Sequence, residues 1–412
     1  TRGDGDIAGF TNDQSDGVSS ELSYVGWKSG DLFENLGEDA LDISFGEQEF
    51  AIGDGFLVMD GEFDFADGAY WLAPHRSFRS GPIHTMNLFW HRRDLRIPDN
   101  RGLALAATDD EVLPVYVVDP DLLRQVGKRQ RAFFIDGVRK LKRRYRSLGG
   151  DLLVRAGAPA ETLAEVSGEY GADRVHYNRH YRPARRNRGR RVDERLSTEA
   201  VEDLVLVDPR RLDSRYENHS RFYDDWQDER KLTPFDAPDG DRLLDAADDT
   251  EVPDIEADID LPASGYRAAR DRYDRFLDTG IESYNDTRDD MHLAVERPVG
   301  AVSRLSPYLA AGMLGIREVW ADASERYGAA SGGAQRNVDK FRYELSWREQ
   351  NYHLLYYNPT LLTENYRDFQ NPIAWENDPE TSEAWKRGET GYPIVDAGMR
   401  QLNEEGYIHN RP

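Results

Sequence analysis

The segment "KFRYELSWREQNYHLL" places five chemically distinctive side chains on one side of a helix. These are Phe341, Glu344, Trp347, Arg348 and Asn351, spaced at i, i+3, i+6, i+7 and i+10. A core stripe would be aliphatic, and a solvated face has no need of a tryptophan. Aromatic rings beside a carboxylate, a guanidinium and an amide favour a platform on which a planar heterocycle or a flipped nucleobase stacks. An ordinary helix is the alternative, because Trp and Arg often pair there.

A second candidate site is the turn "AVSRLSPYLAAG", which precedes an apolar helix. It contains Ser303 and Ser306, with Pro307 at the expected N1 position. Hydroxyls, free backbone N–H groups and a helix N-terminus together suit a pyrophosphate, although a plain N-cap is the simpler interpretation. Tyr284 and Arg288, four residues apart, share a helical face either as part of a site or as a solvated pair.

Composition limits the classes of protein to which the chain can belong. It has 412 residues, no cysteine and a net charge of -24, which leaves no disulfide framework, thiolate nucleophile or cysteine metal site. His176 and His180 have a spacing found in metal sites, but no carboxylate pattern completes one, and we expect no metal. We find no signal peptide and no apolar run of about 20 residues, and we expect a soluble, cytoplasmic protein.

The acidic character has its own explanation. Of the 53 basic residues 7 are lysine, which leaves 46 arginines against 77 acidic residues. This balance is typical of a cytosolic protein from a very salty cell, and a generally acidic enzyme is the alternative. Acidity does not exclude DNA as a partner, because molar salt weakens the Coulombic part of DNA binding for any protein.

The pattern along the chain changes at Met86. Residues 1–85 contain 17 acidic and 4 basic residues and lack helical periodicity. We interpret them as an extension outside the folded domains; a small acidic β-module with a hairpin in "EQEFAIGDGFLVMDGEFDF" is the alternative. We assign this region no chemistry.

Beyond Met86 the pattern predicts two domains and a connection. Short Val/Leu/Ile strands alternate with amphipathic helices from "NLFWH" to "VEDLVLVD", which predicts an α/β domain with a doubly wound parallel sheet over residues 86–210. Charge runs and breakers predict an interdomain linker over residues 211–262. Helical periodicity predicts an all-α domain over residues 263–412.

Four segments, taken in order, resemble the motif series of the DNA photolyase and cryptochrome family. They are "FWHRRDLRIPDN", "SRLSPYLAAG", "ELSWRE" and "GYPIVDAGMRQLNEEGYIHNR". The resemblance is greatest to class I cyclobutane pyrimidine dimer photolyases and runs from Met86 to the last residue. It implies a Rossmann-like, antenna-binding domain followed by a helical domain that binds FAD and DNA. It also implies a further helical segment after Pro412, so we expect a truncated chain whose retention of FAD is open.

The resemblance implies a role for each motif residue. FAD contacts fall to Tyr284, Ser303, Arg304, Leu305, Ser306, Phe341 and Arg348. The resemblance implies that Arg288 binds a DNA phosphate. It implies that the lesion pocket is lined by Glu344, Trp347, Asn351, Asn410 and Arg411. Trp375 corresponds to the flavin-nearest tryptophan of an electron relay.

The implied function is light-dependent repair of UV-damaged DNA. In the family, excited reduced FAD lends an electron to a cyclobutane pyrimidine dimer and takes it back after the ring splits. Glu344 resembles the cyclobutane-dimer enzymes, whereas the (6-4) enzymes carry glutamine at this position. A cryptochrome-type photosensor without repair activity is the alternative, and a nucleotide-binding module without flavin is a third. The antenna is open between a deazaflavin, a folate and none, and the family implies a monomer.

Overall fold

The computed structural model describes residues 86–108, 110–246, 250, 252–366 and 378–410, together with two short strands nearer the N-terminus. Those strands, β1 (Tyr24–Lys28) and β2 (Asp42–Gly46), pair antiparallel. The hairpin predicted within residues 47–65 lies outside the described residues, as do Trp375 and Arg411.

A parallel sheet forms the centre of the first domain. Its strands are β3 (Met86–His91), β4 (Glu111–Val118), β5 (Leu153–Ala156), β6 (Arg174–Asn178) and β7 (Thr198–Val201). The order across the sheet is β5-β4-β3-β6-β7, and every neighbouring pair is parallel. The chain therefore winds outward from β3 in both directions, which confirms the predicted doubly wound α/β domain and puts the reversal of strand order between β3 and β6.

Helices cover both faces of this sheet. They are α1 (Arg101–Ala106), α2 (Pro120–Arg124), α3 (Lys128–Ser147), α4 (Pro159–Tyr170) and α5 (Pro183–Asp193). Side chains of β3 alternate between two apolar cores, with Leu88 and Trp90 in one and Phe89 in the other. The core around Phe89 continues into the helical domain and includes Phe341 and Leu345 of its longest helix. The two domains are thus joined by a shared apolar core.

One predicted strand is wrong. The run "VEDLVLVD" was expected to form a strand, but β7 ends at Val201. The backbone N–H groups of Leu206 and Val207 instead both donate to Oε2 of Glu349, at 2.7 and 3.2 Å. Because a carboxylate of the helical domain takes these donors, the segment is buried by interdomain contact rather than by sheet pairing.

The segment predicted as a linker contains a packed helix, α6 (His219–Asp228). Phe222 and Trp226 of α6 are fully buried. The helical domain follows with α7 (Gly265–Thr279), α8 (Tyr284–Thr287), α9 (Met291–Glu296), α10 (Ser306–Ala310), α11 (Ile316–Ala329), α12 (Gly332–Tyr357), α13 (Pro379–Arg387) and α14 (Pro393–Glu405). Within the described ranges no helix is both long and apolar enough to cross a membrane.

A glycine separates α10 from α11 within a continuous stretch of helical periodicity. Gly312 has a φ of 63°, which favours glycine, and it lies against the backbone carbonyl of Arg93. A side chain here would collide with the loop that follows β3. The α/β domain therefore packs directly against the turn after α10.

Candidate active site

Phe341, the first residue of the candidate face of α12, contacts other aromatic rings. The ring of Phe341 is buried and meets Tyr284 edge-on, with centroids 5.3 Å apart, and Phe276 at 5.1 Å. Two residues assigned to the cofactor by resemblance, from different helices, are therefore neighbours. Together these rings form an apolar wall against which a planar ring system can pack.

One turn further along α12, the structure brings Glu344 and Arg288 together. Their side chains form an ion pair and are 11% and 12% exposed. Nζ of Lys340 lies 2.6 Å from Oε1 of Glu344, and Nε of Arg288 also donates to Asp289 at 3.1 Å. The residue predicted to bind a DNA phosphate is thus the partner of the residue predicted to bind the lesion.

Local contacts explain why Arg288 reaches α12. Its backbone N–H donates to Tyr284 O at 2.9 Å and closes α8. The side chain of Asn337 on α12 accepts from the N–H of Asp286 at 3.2 Å and donates to its carboxylate at 3.0 Å. Nε2 of His409, in the last motif, lies 2.7 Å from the carbonyl oxygen of Arg288. Three separate motifs therefore converge on this corner.

Trp347 lies on the same helix, three residues beyond Glu344, and is 8% exposed. One face of its indole is stacked on the imidazole of His219, with ring centroids 3.6 Å apart and an interplanar angle of 9°. Sequence reasoning missed His219, because residues 211–262 carry no recognised motif; the amphipathic run "NHSRFYDDWQ" was the available signal. Asn351 is partly buried, and Asn410 is exposed.

The serine turn is held in a strained form by its arginine. Arg304 has a φ of 49°, and its guanidinium pairs with Glu405 at 2.6 Å and lies 4.7 Å over the ring of Tyr407. Oγ of Ser303 accepts from the backbone N–H of Leu305 at 3.4 Å.

The helix after the turn begins one residue earlier than expected. Ser306, which is exposed, is the first residue of α10, so Pro307 is the second residue and the N1 assignment was wrong by one position. Leu305 occupies the cap position and is buried. Pro307 has no N–H to leave unpaired in this first turn, so the shift costs no hydrogen bond.

Unpaired donors surround this turn. Nε and Nη1 of Arg272 and Nε of Arg304 are buried and have no hydrogen-bond partner among the described residues. The Arg272 guanidinium lies 5.9 Å from the ring of Tyr308. Burial raises the pKa of Tyr407, while the charges of Arg304 and Arg272 lower it, so both arginines face this one phenol. Buried N–H groups normally have partners, and two arginines beside a serine fit the pyrophosphate of a dinucleotide such as FAD.

The first motif carries an interdomain cluster that connects the domains. Arg317 of α11 pairs with Asp99 at 2.6 Å and also with Asp203, while Arg96 pairs with Asp203 at 2.6 Å. All four side chains are buried. Burial raises the pKa of Asp203, but the charges of Arg96 and Arg317 outweigh it and lower the pKa to about 2.

The same motif also holds the serine turn in place. Nε of Arg93 donates to Ala310 O at 2.7 Å, and Nη1 of Arg96 donates to Gly312 O at 3.2 Å. These bonds cap the exposed carbonyls at the end of α10. The arginines after β3 therefore position the candidate pyrophosphate turn from the other domain.

Arg348 has partners different from those of its neighbours on α12. Its guanidinium donates to Leu204 O at 3.0 Å and lies 3.2 Å from Oε1 of Glu349. It lines a crevice between the domains, at the carboxyl ends of β3 and β6. The structure therefore does not bring Arg348 to Glu344 and Trp347, and its assignment to FAD stays a prediction.

The crevice is rich in cations. Its lining includes the arginines Arg92, Arg93, Arg96, Arg179 and Arg348 beside Asp94 and Asp203. Burial lowers the pKa of Arg92 to about 10. The crevice lies where the strand order reverses, which is the usual ligand position in doubly wound sheets.

The histidine pair considered for a metal does not form a cluster. Nδ1 of His180 accepts from the backbone N–H of Arg182 at 3.1 Å. Burial lowers the pKa of His176. In the part of the chain that the structure describes, no group of three or more potential ligands is placed to hold a metal ion.

Comparison with known families places this geometry in context. Residues 87–239 match the family described as DNA photolyase, and residues 341–412 match the FAD binding domain of DNA photolyase. The protein is therefore of the class that joins a doubly wound α/β domain to a helical FAD-binding domain. A similar curated protein is the deoxyribodipyrimidine photo-lyase of Halobacterium salinarum, 38% identical over 79% of this chain and 73% of the relative. The chain belongs to the DNA photolyase family, as the motifs predicted.

Solved structures support the same placement. A bacterial class III photolyase from Agrobacterium tumefaciens matches with a TM-score of 0.68 and 29% identity, covering 82% of this chain and 72% of that one. An archaeal photolyase from Sulfolobus tokodaii, solved with two FAD molecules, matches with a TM-score of 0.65 and 27% identity over 79% and 72% of the two chains. These matches confirm the predicted combination of an α/β domain and a helical domain.

Proposed function

We propose that this protein is a light-dependent DNA repair enzyme that splits cyclobutane pyrimidine dimers in UV-damaged DNA. One observation carries the proposal: in a member of this family, Arg288 and Glu344 meet beside Trp347 on one face of α12. A guanidinium for a phosphate, a carboxylate for a base edge and an indole for a base face are what binding of a flipped dimer needs. We further propose that it acts as a monomer in the cytoplasm.

FAD, when bound, supplies the light-driven electron that opens the dimer ring and is then returned. The aromatic wall of Phe341 and Tyr284 would pack against the flavin side of the site. The serine turn would hold the pyrophosphate, through Ser303, Arg304, Leu305 and Ser306. Arg272 adds two buried donors beside this turn, which supports an anionic ligand there.

The lesion would be held by side chains of α12 and the last motif. Glu344 would accept a hydrogen bond from the imide N–H at the edge of the dimer, and Trp347 would supply apolar ring contact. Asn351, Asn410 and Arg411 would complete the pocket, and Trp375 would relay electrons to the flavin. Arg288 would bind the phosphate next to the lesion once it leaves Glu344.

We propose that an antenna chromophore binds in the interdomain crevice. Its cations suit an anionic chromophore, and its position at the strand-order reversal suits a planar ligand. Arg92 packs over Trp90 at 4.7 Å and Tyr177 at 5.4 Å, so its guanidinium is held at the crevice edge. Either a deazaflavin or a folate meets these requirements.

Two measurements on the purified protein in molar KCl test this function. The absorption spectrum, repeated after denaturation and filtration, should show FAD released in near-equal amount to the protein. The protein should also bind a dimer-containing oligonucleotide at least about tenfold more tightly than the undamaged one. Flavin without any preference for the dimer would favour a photosensor, and a colourless folded protein would contradict FAD binding by this chain.

A further inference from the structure

His219 contacts the lesion-pocket tryptophan but belongs to no motif of the site. It is the first residue of α6, in the segment between the two domains, and is 2% exposed. Its imidazole lies flat on the indole of Trp347, at a centroid distance of 3.6 Å. Such a close parallel stack fixes the plane of the indole, since tilting it would lose contact over the whole ring.

The imidazole is itself held at both ring nitrogens. Nδ1 lies 2.7 Å from Oε1 of Gln350, and Nε2 lies 3.0 Å from Oγ of Ser346. These partners stand on α12 one residue before and three residues after Trp347. His219 is therefore within hydrogen-bonding distance of α12 on both sides of the tryptophan. The imidazole cannot rotate without breaking a buried hydrogen bond.

A second aromatic ring lies beside both Trp347 and His219. Tyr343 approaches Trp347 nearly perpendicularly at 6.5 Å and meets the imidazole edge-on at 4.9 Å. Glu344 and Lys340 are the charged groups whose fields reach His219, and burial lowers the pKa of His219 to about 4. The ring is thus uncharged at neutral pH and acts as a flat support.

We propose that His219 is a positioning residue for lesion recognition: by clamping one face of Trp347 it sets the plane of the indole that the pyrimidine dimer contacts. The identity of the ligand in this inference rests on the proposed function. The contact between His219 and Trp347 does not depend on it. It assigns a role in DNA recognition to α6, which lies far from the site motifs in sequence.

The test compares three variants of the full chain. His219→Ala removes the stack and both hydrogen bonds, whereas His219→Phe keeps an aromatic ring and removes only the hydrogen bonds. His353→Ala is the matched control, because His353 is 1% exposed, lies on the helix of Trp347 and donates from Nε2 to Asp213 O instead. Dissociation constants for dimer-containing and undamaged oligonucleotides are measured in the dark by fluorescence anisotropy, beside the melting temperature of each variant.

We expect His219→Ala to weaken dimer binding about tenfold, with little change for undamaged DNA, because one base–aromatic contact contributes on the order of this factor. His219→Phe should recover most of the preference for dimer-containing over undamaged DNA. His353→Ala should lower the melting temperature but leave that preference unchanged. A wild-type preference in His219→Ala, or an equal loss in His353→Ala, would overturn the proposal.

A second readout separates this proposal from the proposed function. With ¹⁵N-labelled tryptophan, the indole N–H signal of Trp347, assigned through Trp347→Phe, should shift or broaden in His219→Ala and stay in place in His353→Ala. An unmoved signal would overturn the clamp whatever the protein binds. A moved signal in a protein that does not prefer dimers would support the clamp and contradict the repair function.

Discussion

Two arginine–carboxylate clusters in this protein share their chemistry but differ in their surroundings. The interdomain cluster of Arg96, Asp99, Asp203 and Arg317 is buried: Asp203 pairs with both arginines, and Asp99 pairs with Arg317. The site pair of Arg288 and Glu344 retains solvent access at both side chains. Because the first cluster is buried, its ion pairs are not accessible to an outside ligand, and they hold the two domains together. Partial exposure leaves the second able to exchange a carboxylate for a DNA phosphate.

The largest effect should come from breaking the buried cluster. Arg317→Ala leaves Asp99 and Asp203 buried without their shared partner, and we expect a loss of about 3–5 kcal/mol in the free energy of unfolding. Urea denaturation in molar KCl measures it. Arg326→Ala is the control on the same helix, because its pair with Asp278 is exposed and should contribute less than about 1 kcal/mol. Equal losses in the two variants would remove the distinction between fixed and exposed pairs.

A smaller effect is expected on the pH dependence of stability, which should differ between His219 beside the site and the interdomain cluster. The folded pKa of His219, about 4, lies below its ordinary value of 6.5, so the unfolded chain binds this proton more readily between those values. Stability should therefore fall as pH drops from 6.5 towards 4, by up to about 3 kcal/mol from this residue. His219→Phe should show a shallower slope over this window, measured by urea denaturation at each pH.

Asp203 of the interdomain cluster should behave differently over that pH window. The folded pKa of Asp203, about 2, lies below its ordinary value of 3.8, so its stabilisation is complete above pH 3.8 and lost as pH falls through about 2. Identical slopes for wild type and His219→Phe would contradict the neutral, buried state of His219.

The site pair can be opened from the carboxylate side. Glu344→Gln keeps the shape but removes the charge that holds Arg288. We expect repair per absorbed photon to fall about tenfold, as for loss of a hydrogen bond to a charged group, while affinity for undamaged DNA rises because Arg288 is released. Asp289→Asn, which removes the other carboxylate on Arg288, should raise DNA affinity without lowering repair. An unchanged repair yield in Glu344→Gln would contradict the role of this carboxyl group.

The smallest effect is on the salt dependence of binding. Arg288→Gln should weaken binding to damaged and undamaged DNA alike. It should also reduce the slope of log K against log salt by about 0.9, the value for one phosphate contact. Arg124→Gln, an exposed arginine of the other domain, is the control and should leave the slope unchanged. A change confined to damaged DNA would mean that Arg288 reads the lesion rather than the backbone.

The sequence predicted most of the architecture, because strand and helix periodicities are local. The alternation from "NLFWH" onward correctly gave the parallel sheet, and the motifs correctly gave the family. The error at "VEDLVLVD" has a non-local cause: Glu349, more than 140 residues away, takes the N–H groups of Leu206 and Val207. No local pattern reveals such a partner.

The site was predictable only where motifs carried it. Helical spacing brought Phe341, Glu344 and Trp347 to one face of α12, and the structure adds that Arg288 is the partner of Glu344. His219 could not be predicted, since its role depends on α6 packing against a helix more than 100 residues away. The assignments of Trp375 and Arg411 stay predictions.

Light-dependent repair of a defined substrate is the decisive measurement for the proposed function. The purified protein, with its flavin reduced, is mixed with an oligonucleotide containing a single cyclobutane thymine dimer, and intact thymines are counted by chromatography after illumination or darkness. We predict repeated turnover in near-UV or blue light and none in the dark. A flavin-containing protein that binds the dimer but leaves it intact in light would contradict the proposed function.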